Sequence, residues 1–206
     1  MAGPRRSLAI TITLMVIANL AWIRPANAQG PPTAEEIKSL PKYCQARYAL
    51  GSAEAARWQP TFGRDWTSLH HYCVAINWLS RATRQTDRQA RDEMLSRAIN
   101  GLRKYASEEA SATFPLMYEL YYRLGDAASM LGDHGGAARA LMKSIQLKPD
   151  YPQSYSRLID VYRAVGANEA ALKVVTAGLK RNPTSTLLQQ QKEEIEGLIA
   201  GKSTDG

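Results

Sequence analysis

The chain has 206 residues, of which 45% are hydrophobic, 22% are charged and only two are cysteines. This composition excludes a mainly disordered chain, a collagen-like chain, a multi-pass membrane protein and a disulfide-dense mini-protein. The formal charge of +7 falls to +4 without the three arginines of residues 1–28, because 23 basic residues then face 19 acidic ones. So small an excess argues against a nucleic-acid-binding protein, and we expect no nucleic acid partner.

The N-terminus has the three parts of a secretory signal peptide. A short basic start, Met1–Arg6, precedes an apolar run, Leu8–Ile23, and small residues stand at Ala26 and Ala28 as in a signal-peptidase site. The alternative is an uncleaved anchor, but the apolar run is shorter than the roughly 20 residues that span a membrane. We therefore expect cleavage after Ala28, a periplasmic or secreted bacterial protein, and no membrane span after cleavage.

Residues 29–117 are predicted to form a helical N-terminal region with one degenerate repeat. Apolar residues recur there at three- and four-residue intervals, and no long stretch alternates as a strand would. The predicted helices are Thr33–Leu50, with a break or kink at Pro41, then Trp66–Arg81 and Gln89–Ser107. An irregular connector with buried aromatic side chains is predicted for Gly51–Arg64.

The two cysteines and a pair of histidines concentrate reactive groups in this region. Cys44 lies in the first predicted helix, and Cys73 follows His70 and His71 in the next. Three interpretations stay open: a Cys44–Cys73 disulfide in an exported chain, a metal or haem site that uses Cys44, His70 and Cys73, or two reduced and buried cysteines. The sequence has no C-x-x-C motif and no suitably spaced acidic residue that would complete a set of metal ligands, so we expect no cofactor.

A period of 34 residues runs through the second half of the chain. It separates Pro115, Pro149 and Pro183, and it also separates Gly132 from Gly166. Further pairs at this spacing are Tyr121 and Tyr155, Leu124 and Leu158, and Ala137 and Ala171. Residues 118–185 are therefore predicted to hold two copies of one unit, in which two helices are joined by a glycine turn and ended by a proline.

This period resembles that of the tetratricopeptide repeat family. The residues that carry the resemblance are Tyr121, Leu124, Gly125, Ala137, Leu141 and Pro149 in the first unit, and Tyr155, Leu158, Tyr162, Ala171, Val175 and Pro183 in the second. Departures from the family pattern occur at Ala128, Ile159 and Gly178. The resemblance implies an all-α fold, a right-handed α-solenoid of about nine helices in antiparallel pairs. The His-His-Tyr-Cys sequence at 70–73 resembles a signature of exported bacterial members.

Residues 186–206 are predicted to hold a capping helix and a frayed tail. The helix is expected over Thr184–Ala200. Its polar run, Gln189–Glu194, suits an outward face, because a repeat array needs a polar terminal cap to stay soluble.

The sequence favours an interaction protein over an enzyme. It has neither the glycine-flanked serine of a hydrolase nor a phosphate-binding glycine loop. We expect a non-enzymatic scaffold of the bacterial periplasm or envelope, whose partner is another envelope or periplasmic protein or peptide. The alternative function is that of a metal- or redox-linked protein built on Cys44, His70 and Cys73.

The expected binding site is the concave groove of the solenoid, which the first helix of each pair lines. The residues predicted to face this groove are Glu119, Tyr122, Asp126 and Met130 in the first unit, and Gln153, Ser156, Asp160 and Arg163 in the second. The two aspartates would repel a carboxylate. Tyr122, Met130 and Arg163 suit a peptide or helix with apolar and basic residues.

Overall fold

Ten α-helices account for most of residues 30–204, the part of the chain that this computed structural model describes, with side chains as far as residue 201. The predicted signal peptide, residues 1–28, lies outside the described residues. The helices are α1 (Ala34–Ser39), α2 (Lys42–Tyr48), α3 (Ala53–Phe62), α4 (Leu69–Arg84), α5 (Arg88–Lys104), α6 (Met117–Met130), α7 (His134–Leu147), α8 (Pro152–Ala164), α9 (Asn168–Arg181) and α10 (Thr186–Thr204). The described range contains no strand, and the predicted all-α class is confirmed.

The helices from α4 onward form antiparallel pairs that follow one another in chain order. All ten helices belong to one compact unit, which begins at Pro32. Within it, α4 packs against α5, α6 against α7 and α8 against α9, and the second helix of each pair contacts the first helix of the next. α10 packs against both α9 and α8, so it occupies the place of a further first helix. This is the predicted solenoid of helix pairs.

Glycine turns separate the two helices of each clear repeat. Gly132 and Gly166 have φ angles of 82° and 73°, in the left-handed region that side chains with a Cβ disfavour. Beyond the first turn, Asp133 caps α7, because its carboxylate accepts a hydrogen bond of 2.8 Å from the backbone N–H of Gly136. The 34-residue spacing of the two glycines thus follows from a backbone conformation that each turn requires.

The N-terminal helices begin where the sequence provides caps. Thr33 and Glu36 form a capping box at the start of α1, each side chain accepting a backbone N–H of the other. Leu40 and Pro41 are extended, so the predicted break at Pro41 separates α1 from α2.

The prediction of an irregular connector over Gly51–Arg64 was wrong, because most of it is the helix α3. Ser52 caps this helix through the N–H of Ala55, and the alanine-rich segment that follows has high helix propensity. Pro60 falls in the last turn of α3, where it ends the helix without preventing it. Because the break at Pro41 was predicted, the additional helix α3 alone accounts for ten helices in the described range rather than about nine.

Among the described residues, the buried apolar side chains form two clusters. The larger one extends from Leu40, before α2, to Val161 in α8. The smaller one joins α8, α9 and α10 and consists of Tyr155, Ile159, Ala171, Val175, Leu188 and Ile195. The C-terminal end of the solenoid therefore has a core of its own.

The expectation that Gln189–Glu194 faces outward was wrong for Gln191. This residue is only 7% exposed, and its amide Nε2 donates a hydrogen bond of 3.1 Å to Oδ1 of Asp160 on α8. Leu188 and Ile195 on the same helix are fully buried, so one face of α10 packs against the array. None of the helices in the described range is both long and apolar enough to cross a membrane.

Candidate functional site

A disulfide between Cys44 and Cys73 joins α2 to α4. Their Cα atoms are 5.6 Å apart, and both residues are completely buried. With both sulfurs bonded to each other, neither is a thiolate that could bind a metal. No three side chains of the described residues with His, Cys, Asp or Glu chemistry come together as a metal site. The structure therefore contains the first of the three arrangements that the sequence leaves open.

The two histidines beside this disulfide are held by different neighbours. His70 places Nδ1 3.0 Å from the carbonyl oxygen of Thr67 and 3.3 Å from the guanidinium of Arg47. Burial, with the positive charges of His71 and Arg47, lowers the pKa of His70. His71 instead contacts the carboxylate of Glu109, the last residue of a π-helical turn, Tyr105–Glu109, that follows α5. Each histidine thus links the start of α4 to a neighbouring segment.

An ion pair fixes α1 on α4. Arg81 donates from Nε and Nη2 to the two carboxylate oxygens of Glu36, at 2.7 and 2.8 Å, and its guanidinium lies 4.6 Å from the ring centre of Trp78. Hydrogen bonding to Arg81, stronger than the opposing effect of burial, lowers the pKa of Glu36 to about 2. The pair is a structural anchor, since both side chains are largely buried.

The N-terminal end of the predicted groove is contacted by Tyr43 of α2. Glu119, the first of the predicted groove residues, accepts a hydrogen bond of 3.1 Å from the hydroxyl of Tyr43 and is paired at 2.5 Å with Arg123. Its side chain is only 14% exposed. Glu119 is therefore committed to contacts within the chain.

An open cleft lies on the first-helix side of the two clear repeats. We call it the α6–α8 cleft. It has a volume of about 280 Å³. Its lining residues are Tyr122 and Asp126 on α6, Gln153, Ser156, Arg157 and Asp160 on α8, and Leu187 on α10. Five of the eight predicted groove residues are thus brought together in one place.

Two residues of this cleft were not predicted. Arg157 occupies the same repeat position as Arg123, 34 residues earlier, and that recurrence of arginine was a signal in the sequence. Leu187 lies 34 residues after Gln153, so the repeat spacing, continued into α10, was the signal for it.

The charges of the cleft are unevenly balanced. Arg157 places Nε 2.7 Å from Oδ1 of Asp126, an ion pair without the alignment of a hydrogen bond, and its nearest approach to the carboxylate of Asp160 is 3.8 Å. Asp160 also accepts from Gln191, and burial raises its pKa. Burial together with the charge of Asp126 raises the pKa of Tyr122, whose ring packs edge-on against Tyr151 at 5.5 Å.

The remaining predicted groove residues lie outside the α6–α8 cleft. Met130 packs against the larger apolar cluster. Arg163 forms an ion pair of 2.9 Å with Glu194 of α10 and lines a neighbouring depression with Leu198. Thus α10 contacts the groove at its C-terminal end, and α2 contacts it at its N-terminal end, with the α6–α8 cleft between them.

Comparison with known proteins bears on the fold. The sequence matches no family model and no curated protein. The structure is similar to TTC0263, a thermophilic TPR protein of Thermus thermophilus, with a TM-score of 0.54 and 19% identity over 75% of this chain and 79% of that one. A weaker similarity, with a TM-score of 0.44 and 18% identity, is to the MamA protein, over 81% of this chain and 85% of that one. The described chain therefore has the fold of a tetratricopeptide repeat solenoid.

Proposed function

We propose that this protein is a non-enzymatic scaffold of the bacterial periplasm or envelope, and that it binds a protein or peptide in the α6–α8 cleft. The proposal rests on a difference between neighbouring parts of the surface that the first helices form. Glu119 and Arg163 are engaged within the chain, whereas the cleft between them stays open. Solenoids bind their partners on surfaces of this kind.

The chemistry of the cleft supports a partner with apolar and basic groups. Tyr122 and Leu187 provide apolar surface, and Leu187 is 46% exposed. Asp126 and Asp160 bring two carboxylates against the single guanidinium of Arg157. A partner that presents a carboxylate would be repelled here.

The proposed location rests on the sequence of residues 1–28 and on the disulfide. A basic start, an apolar run and small residues before the cleavage point are the pattern of an export signal. A buried disulfide agrees with an oxidising compartment such as the periplasm. The intact mass of the protein recovered from the producing cells tests this: a chain that starts at Gln29 supports export, and a chain that retains residues 1–28 contradicts cleavage.

Site-specific photocrosslinking tests the binding site. A photoreactive residue is introduced in the producing cells at Gln153, which is exposed at the cleft, and in a control at Leu147, an exposed residue of α7. We expect a partner adduct from position 153 that is absent from position 147. The adduct should be lost in Leu187→Arg, because a guanidinium there removes apolar surface and repels a basic partner. No adduct, or the same adduct at both positions, would contradict the proposal.

A further inference from the structure

The aspartates at equivalent positions of the two clear repeats have different partners. Asp126 and Asp160 are 34 residues apart, and so are the residues that contact them from the next first helix, Arg157 and Gln191. In the first repeat a guanidinium lies 2.7 Å from the carboxylate. In the second repeat a neutral amide takes the equivalent place, at 3.1 Å. The second position therefore lacks a cation that the first one has.

The neighbouring cations do not replace the one that is missing. Arg157 is directed mainly to Asp126 and stays 3.8 Å from Asp160, and Arg163 is paired at 2.9 Å with Glu194. These two guanidinium groups thus face three carboxylates, those of Asp126, Asp160 and Glu194. One negative charge is left over, and it lies at Asp160. A half-buried carboxylate of this kind favours a nearby positive charge, because water solvates it less well than at the surface.

A buried amide oxygen beside Asp160 also lacks a donor. The side chain of Gln191 donates through Nε2, but its Oε1 has no hydrogen-bond partner among the described residues although the residue is only 7% exposed. Unsatisfied buried acceptors are uncommon in folded proteins. An incoming ammonium or guanidinium has several N–H donors and a charge, so it gives Asp160, which lines the cleft, more than the single neutral amide of Gln191 does.

We propose, on the basis of the proposed function, that the α6–α8 cleft holds a lysine or arginine side chain of the partner, with Asp160 as its counter-ion. The aliphatic stem lies along Tyr122 and the exposed part of Leu187, in the way that long basic side chains pack on apolar surface. A cleft of about 280 Å³ is at the small end of ligand sites, and it suits one inserted side chain rather than a whole helix.

A peptide library with one fixed residue tests this inference. Four sub-libraries carry lysine, arginine, norleucine or glutamate at the centre, between randomised flanks, and are captured on the immobilised protein. We expect the two basic sub-libraries to be enriched roughly tenfold over norleucine, the size of effect of one charge-assisted hydrogen bond. The preference should disappear in Asp160→Asn and persist in Asp150→Asn, a control whose side chain is 69% exposed outside the cleft.

A second variant supplies the cation from within the chain. Gln191→Arg reproduces in the second repeat the pairing of Arg157 with Asp126, so we expect it to fold and to lose the preference for basic peptides. Because this variant adds a charge partner rather than removing one, it keeps the test decisive even where Asp160→Asn unfolds.

The outcomes separate this inference from the proposed function. If peptides bind without a preference for a basic centre, and Leu187→Arg abolishes that binding, the counter-ion role of Asp160 is overturned and the binding cleft stands. If Gln191→Arg keeps the full basic preference, the counter-ion role is likewise overturned. If no peptide is captured, or Leu187→Arg has no effect on capture, both proposals are overturned.

Discussion

Gly125 shows how one residue sets the distance between two helices. A Cβ atom placed there would lie 2.6 Å from Cγ of Leu141 and 3.1 Å from the carbonyl oxygen of Ala137, both on α7. The first contact is shorter than real side chains permit, and it involves the branch point of a buried leucine rather than a flexible end. The glycine is therefore needed for the close approach of α6 to α7.

We predict that alanine lowers the stability of the protein at one helical glycine and not at another. Gly125→Ala should lower the free energy of unfolding by about 1–3 kcal/mol, because the added methyl group overpacks the α6–α7 contact. Gly197→Ala on α10 meets nothing within 4 Å and should be neutral, or stabilising by up to about 1 kcal/mol. Urea denaturation of both variants measures the difference. A loss of equal size in the two would show that packing at Gly125 is not the cause.

The ion pair of Glu36 predicts a pH dependence of stability. Arg81 lowers the pKa of Glu36 from 4.5 to about 2 in the folded protein, so the stabilisation is complete above pH 4.5 and is lost as the pH falls towards 2. Glu36→Gln should therefore cost on the order of 2 kcal/mol at pH 7 and progressively less below pH 4.5.

The neighbouring acid serves as the control for this prediction. Glu35 is 83% exposed and pairs only with Lys38 on the surface, so Glu35→Gln should change stability little at any pH. Chemical denaturation of both variants between pH 2.5 and 7 makes the comparison. Parallel pH profiles for wild type and Glu36→Gln would refute the assigned role of the ion pair.

At the scale of elements, the N-terminal helices are joined to the repeats by a small number of specific links. α2 is bonded to α4 by the disulfide, and α1 is held on α4 by Glu36 and Arg81. Rings of Tyr43, Phe62 and Tyr72 pack together between these helices. These links let segments outside the clear repeats share the larger core.

We predict that Cys44→Ala combined with Cys73→Ala destabilises the protein without removing partner binding. The disulfide closes a loop with a sequence separation of 29 residues, and the chain-entropy model assigns such a loop about 3–4 kcal/mol. Urea denaturation measures the loss, and crosslinking from position 153 measures binding. Reductant should lower the stability of the wild type and leave the double variant unchanged. A double variant as stable as the wild type would contradict a stabilising role.

The elements differ in how far the sequence predicts them. The 34-residue period predicts the helix pairs around Gly132 and Gly166, because local backbone requirements recur with it. It does not predict α3, where Pro60 and nearby aromatics obscure the helix propensity of the alanines. It also misses the inward face of Gln191, since a polar residue is buried there only through a partner on α8. Five of the predicted groove residues share one cleft, but contacts from α2 and α10, which no local pattern encodes, engage Glu119 and Arg163.

At the scale of the whole molecule, the two apolar clusters imply regional differences in stability. Leu188 and Ile195 of α10 complete the smaller cluster with residues of α8 and α9. Repeat arrays are stabilised chiefly by contacts between neighbours, so the C-terminal end can open without unfolding the rest.

We predict that Ile195→Ala loosens only the C-terminal end of the array. Loss of this fully buried side chain should cost about 2–4 kcal/mol and speed amide hydrogen exchange in α8, α9 and α10, with little change in α4 and α5. Leu198→Ala is the matched control, because that residue of the same helix is 45% exposed and should have little effect. Uniformly faster exchange along the chain would instead indicate that the two clusters unfold as one unit.

The hydrogen bond between Tyr43 and Glu119 has a consequence for the order of folding. These residues are 76 positions apart, whereas most helices of the array contact their neighbours in the chain. During synthesis from the N-terminus, α2 emerges long before α6, and it can make this contact only once residue 119 is available. Until then α2 is held only by contacts with segments up to α4, the disulfide and the packing of Tyr43 with Phe62 and Tyr72, so its link to the clear repeats forms late.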